Sequence, residues 1–481
     1  MPKANMRHMI ILLPGISGSV LQKDGKDVWA ISSEGAWIAL TTMLDSLQQL
    51  RLDGDDPDTD DLGDGVQATR LIRDAHIVPG LHKIDGYSAL PRLIADHFNV
   101  VNGSDKQPAN YFEFAYDWRR DNRVAAHQLQ TLVEKQLPRW CEYTHDPNAR
   151  VILLAHSMGG LVARYYTEVL GGWRHCLALI TFGTPYRGSV NALDVLTKPY
   201  KKLFVDLTDV MQSFTSVYQL LPIYEMVEIA GKYRRVAEIE DLPGLSQSAS
   251  MKAVQALKFH REIEGAVEVN RQDPTYLATY KTIPIVGVRQ PTLQSAIVSN
   301  NTLVTCRDAP TWINNALRDG DGTVPRVSAT PIELSGDYRD TFLIERHSSL
   351  HSNPRMLDDV LERLRDMQAP HTRPIRGPEI RPALAELPAI SLDVDDLYLA
   401  NEPVVLRARV TYPYTHSGVL EACISPVKAG ILAATYPFEV SGDGWVLNLR
   451  ALPSGLYRVT VQLRERGPKD AAPVHDIFQV A

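Results

Sequence analysis

Four short runs of apolar residues, Met9 to Leu13, Val151 to Ala155, Leu177 to Phe182 and Ile283 to Val288, each lead into a loop rich in Gly, Pro, Ser or Thr. Runs of this length without polar alternation predict strands buried on both faces. The helix-period segments between them predict a mainly parallel sheet covered by helices. In such a sheet the ligand site lies beyond the carboxyl ends of the strands, where these loops sit. After Ser157 the positions Leu161, Val162, Tyr165, Tyr166, Val169 and Leu170 fall three and four apart, predicting a helix that Gly171-Gly172 can end. Another helix is expected from Asn353-Pro354, a cap followed by proline at the first helical position, burying Leu357, Val360, Leu361 and Leu364.

The interval from about 190 to 282 is too long for a plain connection between two strands and predicts an inserted cap. Within it Val210, Met211, Phe214, Val217, Tyr218 and Leu221 read as a buried helix face, with a lid touching acyl chains or a membrane surface as the sharper alternative. From Ala369 to Pro388 prolines recur every few residues, which predicts an extended linker. Beyond it the period changes to two: Val404 to Val410 and Tyr457 to Leu463 alternate, with turns at Ser441 to Gly444 and Pro453 to Gly455. That pattern predicts a small antiparallel sandwich. The expected division is a domain over 1–368, a Pro-rich linker over 369–388 and an Ig-like β-sandwich over 389–481.

At 481 residues the chain exceeds what one core serves, in keeping with two domains. With 44% hydrophobic and 22% charged residues it reads as an ordinary globular protein, and a formal charge of −7 argues against nucleic acid as a partner. Cys141, Cys176, Cys306 and Cys423 form no Cys-x-x-Cys pair, so neither a zinc site nor a disulfide framework is signalled, and no metal or cofactor is expected. The first apolar run is too short for a signal-peptide core, and no run approaches the roughly 20 residues that span a bilayer. A cytoplasmic location follows, with any membrane met from outside. The acidic run Asp53 to Asp64 fails the EF-hand pattern and is expected as a solvated loop.

The candidate chemistry centres on Ala155-His156-Ser157-Met158-Gly159, a nucleophile elbow between the predicted strand and helix, with alanine in place of the usual first glycine. It predicts an α/β-hydrolase in which the chain order is serine, acid, histidine. A serine hydroxyl needs a histidine to take its proton and a carboxylate to fix that histidine's tautomer. The acid is sought in Asp319-Gly320-Asp321-Gly322-Thr323-Val324-Pro325, Asp321 first and Asp319 in reserve. The base is sought after the apolar strand Phe342 to Ile344, where His347 sits at the strand's end and His351 competes. His156 is expected to be a structural neighbour. The oxyanion donors of this fold would be the amides of Met158 and of Ile16, in Leu13-Pro14-Gly15-Ile16-Ser17-Gly18-Ser19.

These segments, taken in order with Val78-Pro79-Gly80, Ala115-Tyr116-Asp117-Trp118-Arg119-Arg120 and Phe182-Gly183-Thr184-Pro185-Tyr186-Arg187-Gly188-Ser189, resemble the lecithin:cholesterol acyltransferase family over most of residues 8 to 365. The resemblance implies a triad of Ser157, Asp321 and His347, with His347 favoured over His351. It implies Ile16 and Met158 as oxyanion donors, and places Tyr116 to Arg119 near the active-site face, with packing and loop positioning weighed at least as heavily as direct chemistry. Two departures stand out. No cysteine occurs between Met1 and Trp140 to close the lid disulfide of extracellular members, and the C-terminal sandwich lies outside the familiar core. The function expected is a serine-dependent hydrolase or O-acyltransferase of lipid esters. Its rivals are a soluble-ester esterase and a catalytically silent binding protein, and a protein or glycan is the partner sought for the sandwich.

Overall fold

The unbroken apolar runs become the middle of one sheet. In a computed structural model that describes residues 3–29, 48–78, 82–104, 106–198, 208–335, 341–368, 388–411, 419–427, 432–442, 444–450, 452–464 and 471–481, strands β1 (Met9–Leu13), β2 (Tyr111–Glu113), β3 (Val151–His156), β4 (Cys176–Phe182), β5 (Lys281–Gly287) and β6 (Phe342–Leu343) lie in the order β2-β1-β3-β4-β5-β6. All neighbours are parallel, with Leu13 beside Ala155 and His156 beside Phe182. Every residue of β1, β3 and β4 is buried, which is why their sequences show no alternation. The order reverses between β1 and β3, so the loops that leave these two strands open side by side into one crevice.

Helices cover both faces. Ile10, Leu12, Ile152 and Leu154 pack with α1 (Ala89–His97), while Met9, Ile11, Leu13 and Leu153 point to the other core, with α2 (Asn122–Thr144). The nucleophile helix α3 (Gly159–Arg164) and α4 (Gln247–Asn270) share that second core. The last helix, α5 (Pro354–Met367), returns to the α1 face. It starts as its sequence demands, with Asn353 Oδ1 accepting the amides of Arg355 and Met356. Met356 and Met367 fill its inner face together with Val360, Leu361 and Leu364, whereas Leu357, expected inside, is half-buried.

The helix after Ser157 departs from a plain amphipathic one. After Arg164 it loosens into a π turn over Tyr165–Val169, and Gly171, at φ 71°, ends it. Thr167 and Glu168 are buried like their apolar neighbours because Glu168 has partners inside, accepting from Asn270 Nδ2 at 2.9 Å and Tyr276 Oη at 3.2 Å.

In the inserted cap, the hairpin Val227–Ile229 and Lys232–Arg234 joins Ser295–Ser299 and Thr302–Cys306 in a four-stranded sheet. The cap is therefore completed by chain that follows β5, past residue 282. Val210, Met211, Phe214, Val217, Tyr218 and Leu221 are all buried in the main core, so in this conformation none of them faces a lipid surface.

Beyond the interdomain segment, of which residues 369–387 lie outside the described residues, two further sheets pack face to face on a shared core that includes Leu392, Leu406, Val459, Val461 and Phe478. Their pairings are antiparallel except one: Leu397–Tyr398 runs parallel to the final strand, Val474–Val480. The chain is thus an α/β-hydrolase with a mainly parallel central sheet, an inserted cap and a C-terminal β-sandwich. No helix among the described residues is long and apolar enough to cross a membrane.

Candidate active site

At the carboxyl end of β3 the chain must turn sharply into α3, and Ser157 takes up that turn at φ 51°, a left-handed backbone costly for a residue with a Cβ. The cost is held by bonds on both sides: its amide donates to Phe182 O at 2.9 Å, and its carbonyl accepts Thr184 Oγ1 at 2.9 Å. Close approach is enforced as well. A Cβ on Gly159 would come within 2.3 Å of Pro14 O, so only glycine lets α3 sit against the loop after β1.

Three of the residues singled out from the sequence meet here. Ser157 Oγ lies 3.0 Å from His347 Nε2, and His347 Nδ1 lies 2.7 Å from Asp321 Oδ2. The carboxylate can only accept, so Nδ1 carries the ring proton and Nε2 is left to accept the serine hydroxyl. The other oxygen of Asp321 accepts the amides of Thr323 at 2.9 Å and Val324 at 2.7 Å, and the His347 amide donates to Asp321 O at 2.8 Å. The Gly-rich turn thereby fixes the acid, and the acid fixes the base. All three side chains are buried.

The reserve residues go elsewhere. Asp319 accepts the Arg289 amide at 3.1 Å and faces Arg326, and burial raises its carboxyl above the usual range. His351 bonds the Gly86 carbonyl through Nε2 at 2.9 Å, and burial lowers its pKa. His347 is not at the end of its strand. β6 is only two residues long, and His347 opens a 3₁₀ turn, His347–Ser349, after Glu345, whose side chain bonds Asn353 and His475, and Arg346, whose side chain bonds Leu392 O, all outside the sheet.

Ile16, in the loop after β1, and Met158, the residue after Ser157, are both buried, and neither amide donates a hydrogen bond among the described residues. The Ile16 loop is pinned from beneath by the Tyr116 to Arg119 segment. Tyr116 Oη donates to Pro14 O at 2.8 Å, Ser19 Oγ accepts the Tyr116 amide at 3.1 Å, and Trp118 Nε1 donates to Ser19 O at 3.1 Å.

Sequence reasoning missed three supports. Tyr87 accepts the Gly15 amide at 2.7 Å and reaches His156 Nδ1 at 2.8 Å, while His156 Nε2 faces the His347 carbonyl at 3.3 Å. A carbonyl oxygen can only accept, so His156 Nε2 carries the ring proton toward His347 O and Nδ1 is left to accept the Tyr87 hydroxyl. Gly183, at φ 59°, borders the base and acid so closely that a Cβ would fall 2.8 Å from His347 Nδ1 and 2.9 Å from Asp321 Oδ2. The acidic run is the third. Far from being only solvated, it folds around Arg120: Asp55 Oδ1 accepts Nε at 3.0 Å, and the carbonyls of Asp56, Thr59 and Asp60 accept the rest. A dense run of aspartates from Asp53 to Asp64, with an Arg-Arg pair at Arg119 and Arg120 elsewhere in the chain, was the available signal.

Among known families, the sequence model described as lecithin:cholesterol acyltransferase matches residues 81–356. No curated protein matches the chain. Among solved structures the chain is similar to the lipase BlEst2 of Bacillus licheniformis. The propeptide form matches at 11% identity and a TM-score of 0.30, over 99% of this chain and 94% of that one. The mature form matches at 13% and 0.28, over 76% and 94%. The chain is also similar to the CARDB domain of PF1109 from Pyrococcus furiosus, at 12% identity and a TM-score of 0.14, over 20% of this chain and 96% of that one.

Proposed function

The chain belongs to the lecithin:cholesterol acyltransferase family, which sets it among enzymes that hydrolyse or transfer the acyl groups of lipid esters, and on that premise we propose that it works through an acyl-enzyme on Ser157. The observation that carries this reading is the continuous chain of short contacts, 3.0 Å from Ser157 Oγ to His347 Nε2 and 2.7 Å from His347 Nδ1 to Asp321 Oδ2, at the switch point of the sheet.

Ser157 Oγ attacks the acyl carbonyl carbon as its proton passes to His347 Nε2. Asp321 stabilises the imidazolium, and the amides of Ile16 and Met158 take the negative charge of the tetrahedral oxygen; one such donor is worth about 10² to 10³ in rate. The intermediate collapses, the ester C–O bond breaks, and the alcohol leaves with the proton from His347. Water or a lipid alcohol then gives its proton to the same nitrogen, attacks the acyl-enzyme and frees the serine.

Labelling with a fluorophosphonate tests the nucleophile: wild type reacts and Ser157→Ala does not. Equal labelling of the two, or of neither, overturns the assignment. Incubation with phospholipid vesicles, read by mass spectrometry for free fatty acid and acylated alcohol, tests the substrate. Cleavage of short soluble esters with untouched vesicles would make the protein a plain esterase.

A further inference from the structure

The two residues on either side of His347 are held by the other domain. Asp476, on the final strand of the sandwich, is buried, and its Oδ2 lies 2.7 Å from Arg346 Nε and 2.8 Å from Lys83 Nζ. Its Oδ1 accepts Ser348 Oγ at 2.9 Å and the Ile477 amide at 2.9 Å. One carboxylate therefore engages both neighbours of the base, Arg346 as an ion pair and Ser348 as a hydrogen bond. The residue before it acts likewise: the His475 amide donates to Glu345 Oε1 at 2.9 Å and His475 Nδ1 to Glu345 Oε2 at 2.7 Å. Arg346 also donates to Leu392 O at 2.5 Å, on a strand of the other sheet of the sandwich.

Resting on the acyl-enzyme reading above, we infer that Asp476 is a positioning residue for His347, so that the C-terminal sandwich completes the active site. β6 ends at Leu343, and the only sheet hydrogen bonding it offers stops there. From Glu345 to Ser348 the chain has no ladder to define its path. Two backbone bonds, His347 N to Asp321 O at 2.8 Å and Asp85 N to Ser348 O at 3.2 Å, hold it from the hydrolase side. From the sandwich side it is held by Asp476, a carboxylate facing two cations and a hydroxyl, shut away from water, where such interactions are strongest. Burial alone would raise the Asp476 carboxyl, but Arg346 and Lys83 hold it below the usual range, so it stays charged. A base must sit within a fraction of an ångström of its nucleophile, and a displacement of about 1 Å costs on the order of 10²-fold in rate.

The test uses the full-length protein with Asp476→Ala and, as a control for lost sandwich stability, Leu463→Ala, whose side chain is buried in the sandwich core. Asp476→Ala should lower kcat on an ester substrate about 10²-fold with KM little changed, whereas Leu463→Ala should keep kcat while lowering Tm. A readout independent of turnover is the downfield proton NMR signal of His347 Nδ1–H on Asp321, assigned by its loss in His347→Gln. It should broaden or vanish in Asp476→Ala and persist in Leu463→Ala. Wild-type kcat and an unchanged NMR signal in Asp476→Ala, or equal losses in both variants, overturn the inference. If wild type itself turns over no ester, the acyl-enzyme reading fails, and the NMR signal still decides the positioning. Should Asp476→Ala not fold, Asp476→Asn keeps an acceptor for Ser348 and removes the charge facing Arg346 and Lys83, and the same readouts apply.

Discussion

The Tyr87 hydroxyl reaches Nδ1 of His156 at 2.8 Å, and the same oxygen accepts the Gly15 amide at 2.7 Å, tying the loop after β1 to the residue before the nucleophile. Tyr87→Phe would keep the ring beside His156 and His351 but remove a buried hydrogen bond from both Gly15 and His156. Urea unfolding should show a loss of about 1–3 kcal/mol, and kcat should fall as the Ile16 amide loses its fixed aim. Stability equal to wild type would mean that water replaces the hydroxyl.

Asp321 and Asp319 stand two residues apart in one turn, yet only Asp321 touches His347. Asp321→Asn would present an amide donor to Nδ1 and favour the wrong tautomer; comparable triads lose about 10⁴ in kcat. Asp319→Asn should leave kcat within a few-fold and cost stability through Arg289 and Arg326. Steady-state kinetics on one ester separates the two, and equal losses would refute the choice of acid.

Gly183 is where a methyl group would meet the acid and base together. Gly183→Ala adds an atom within 3 Å of both and requires φ 59° of an alanine. A fall in kcat of about 10²-fold is expected, with KM nearly preserved and fluorophosphonate labelling slowed in proportion. Wild-type labelling rates would show that the pair shifts without penalty.

The contact between domains should weaken in alkali. Burial opposes the charge on His475, but its bond to Glu345, the Glu345 charge and that of Asp85 outweigh burial, and the pKa lies above the ordinary 6.5. A histidine raised on folding contributes fully below its unfolded value, and the contribution is lost as pH rises through the folded value. Thermal unfolding followed from pH 6 upward should show a decline across that window, and His475→Gln should flatten it. An unchanged slope in the variant would assign the decline to other groups.

What could be read from the sequence follows from how local each signal is. The strands around Ile11, Leu153, Leu179 and Ile285 declare themselves because a doubly covered strand is apolar at nearly every position. The start of α5 is legible because its cap is two adjacent residues, Asn353 and Pro354. Ser157 was legible as a motif embedded in its strand and helix. β2 was not read as a strand and β6 was read one residue too long, through Ile344, since three and two residues show no period. The roles of Tyr87, Gly183 and Asp476 left no trace at all: each acts across a gap in sequence that only the folded sheet closes. The acidic run looked solvated because its partner, Arg120, is supplied by a distant loop.

The bond from Ser348 to Asp476 spans 128 residues of chain. During synthesis, which delivers the N-terminal part first, the ribosome releases the nucleophile, the acid and the base long before the strand that steadies the base. On the positioning role inferred for Asp476, a nascent chain paused anywhere in that interval carries the proposed nucleophile, acid and base but not the carboxylate that steadies His347, so arrival of residue 476 would act as a timer for the site.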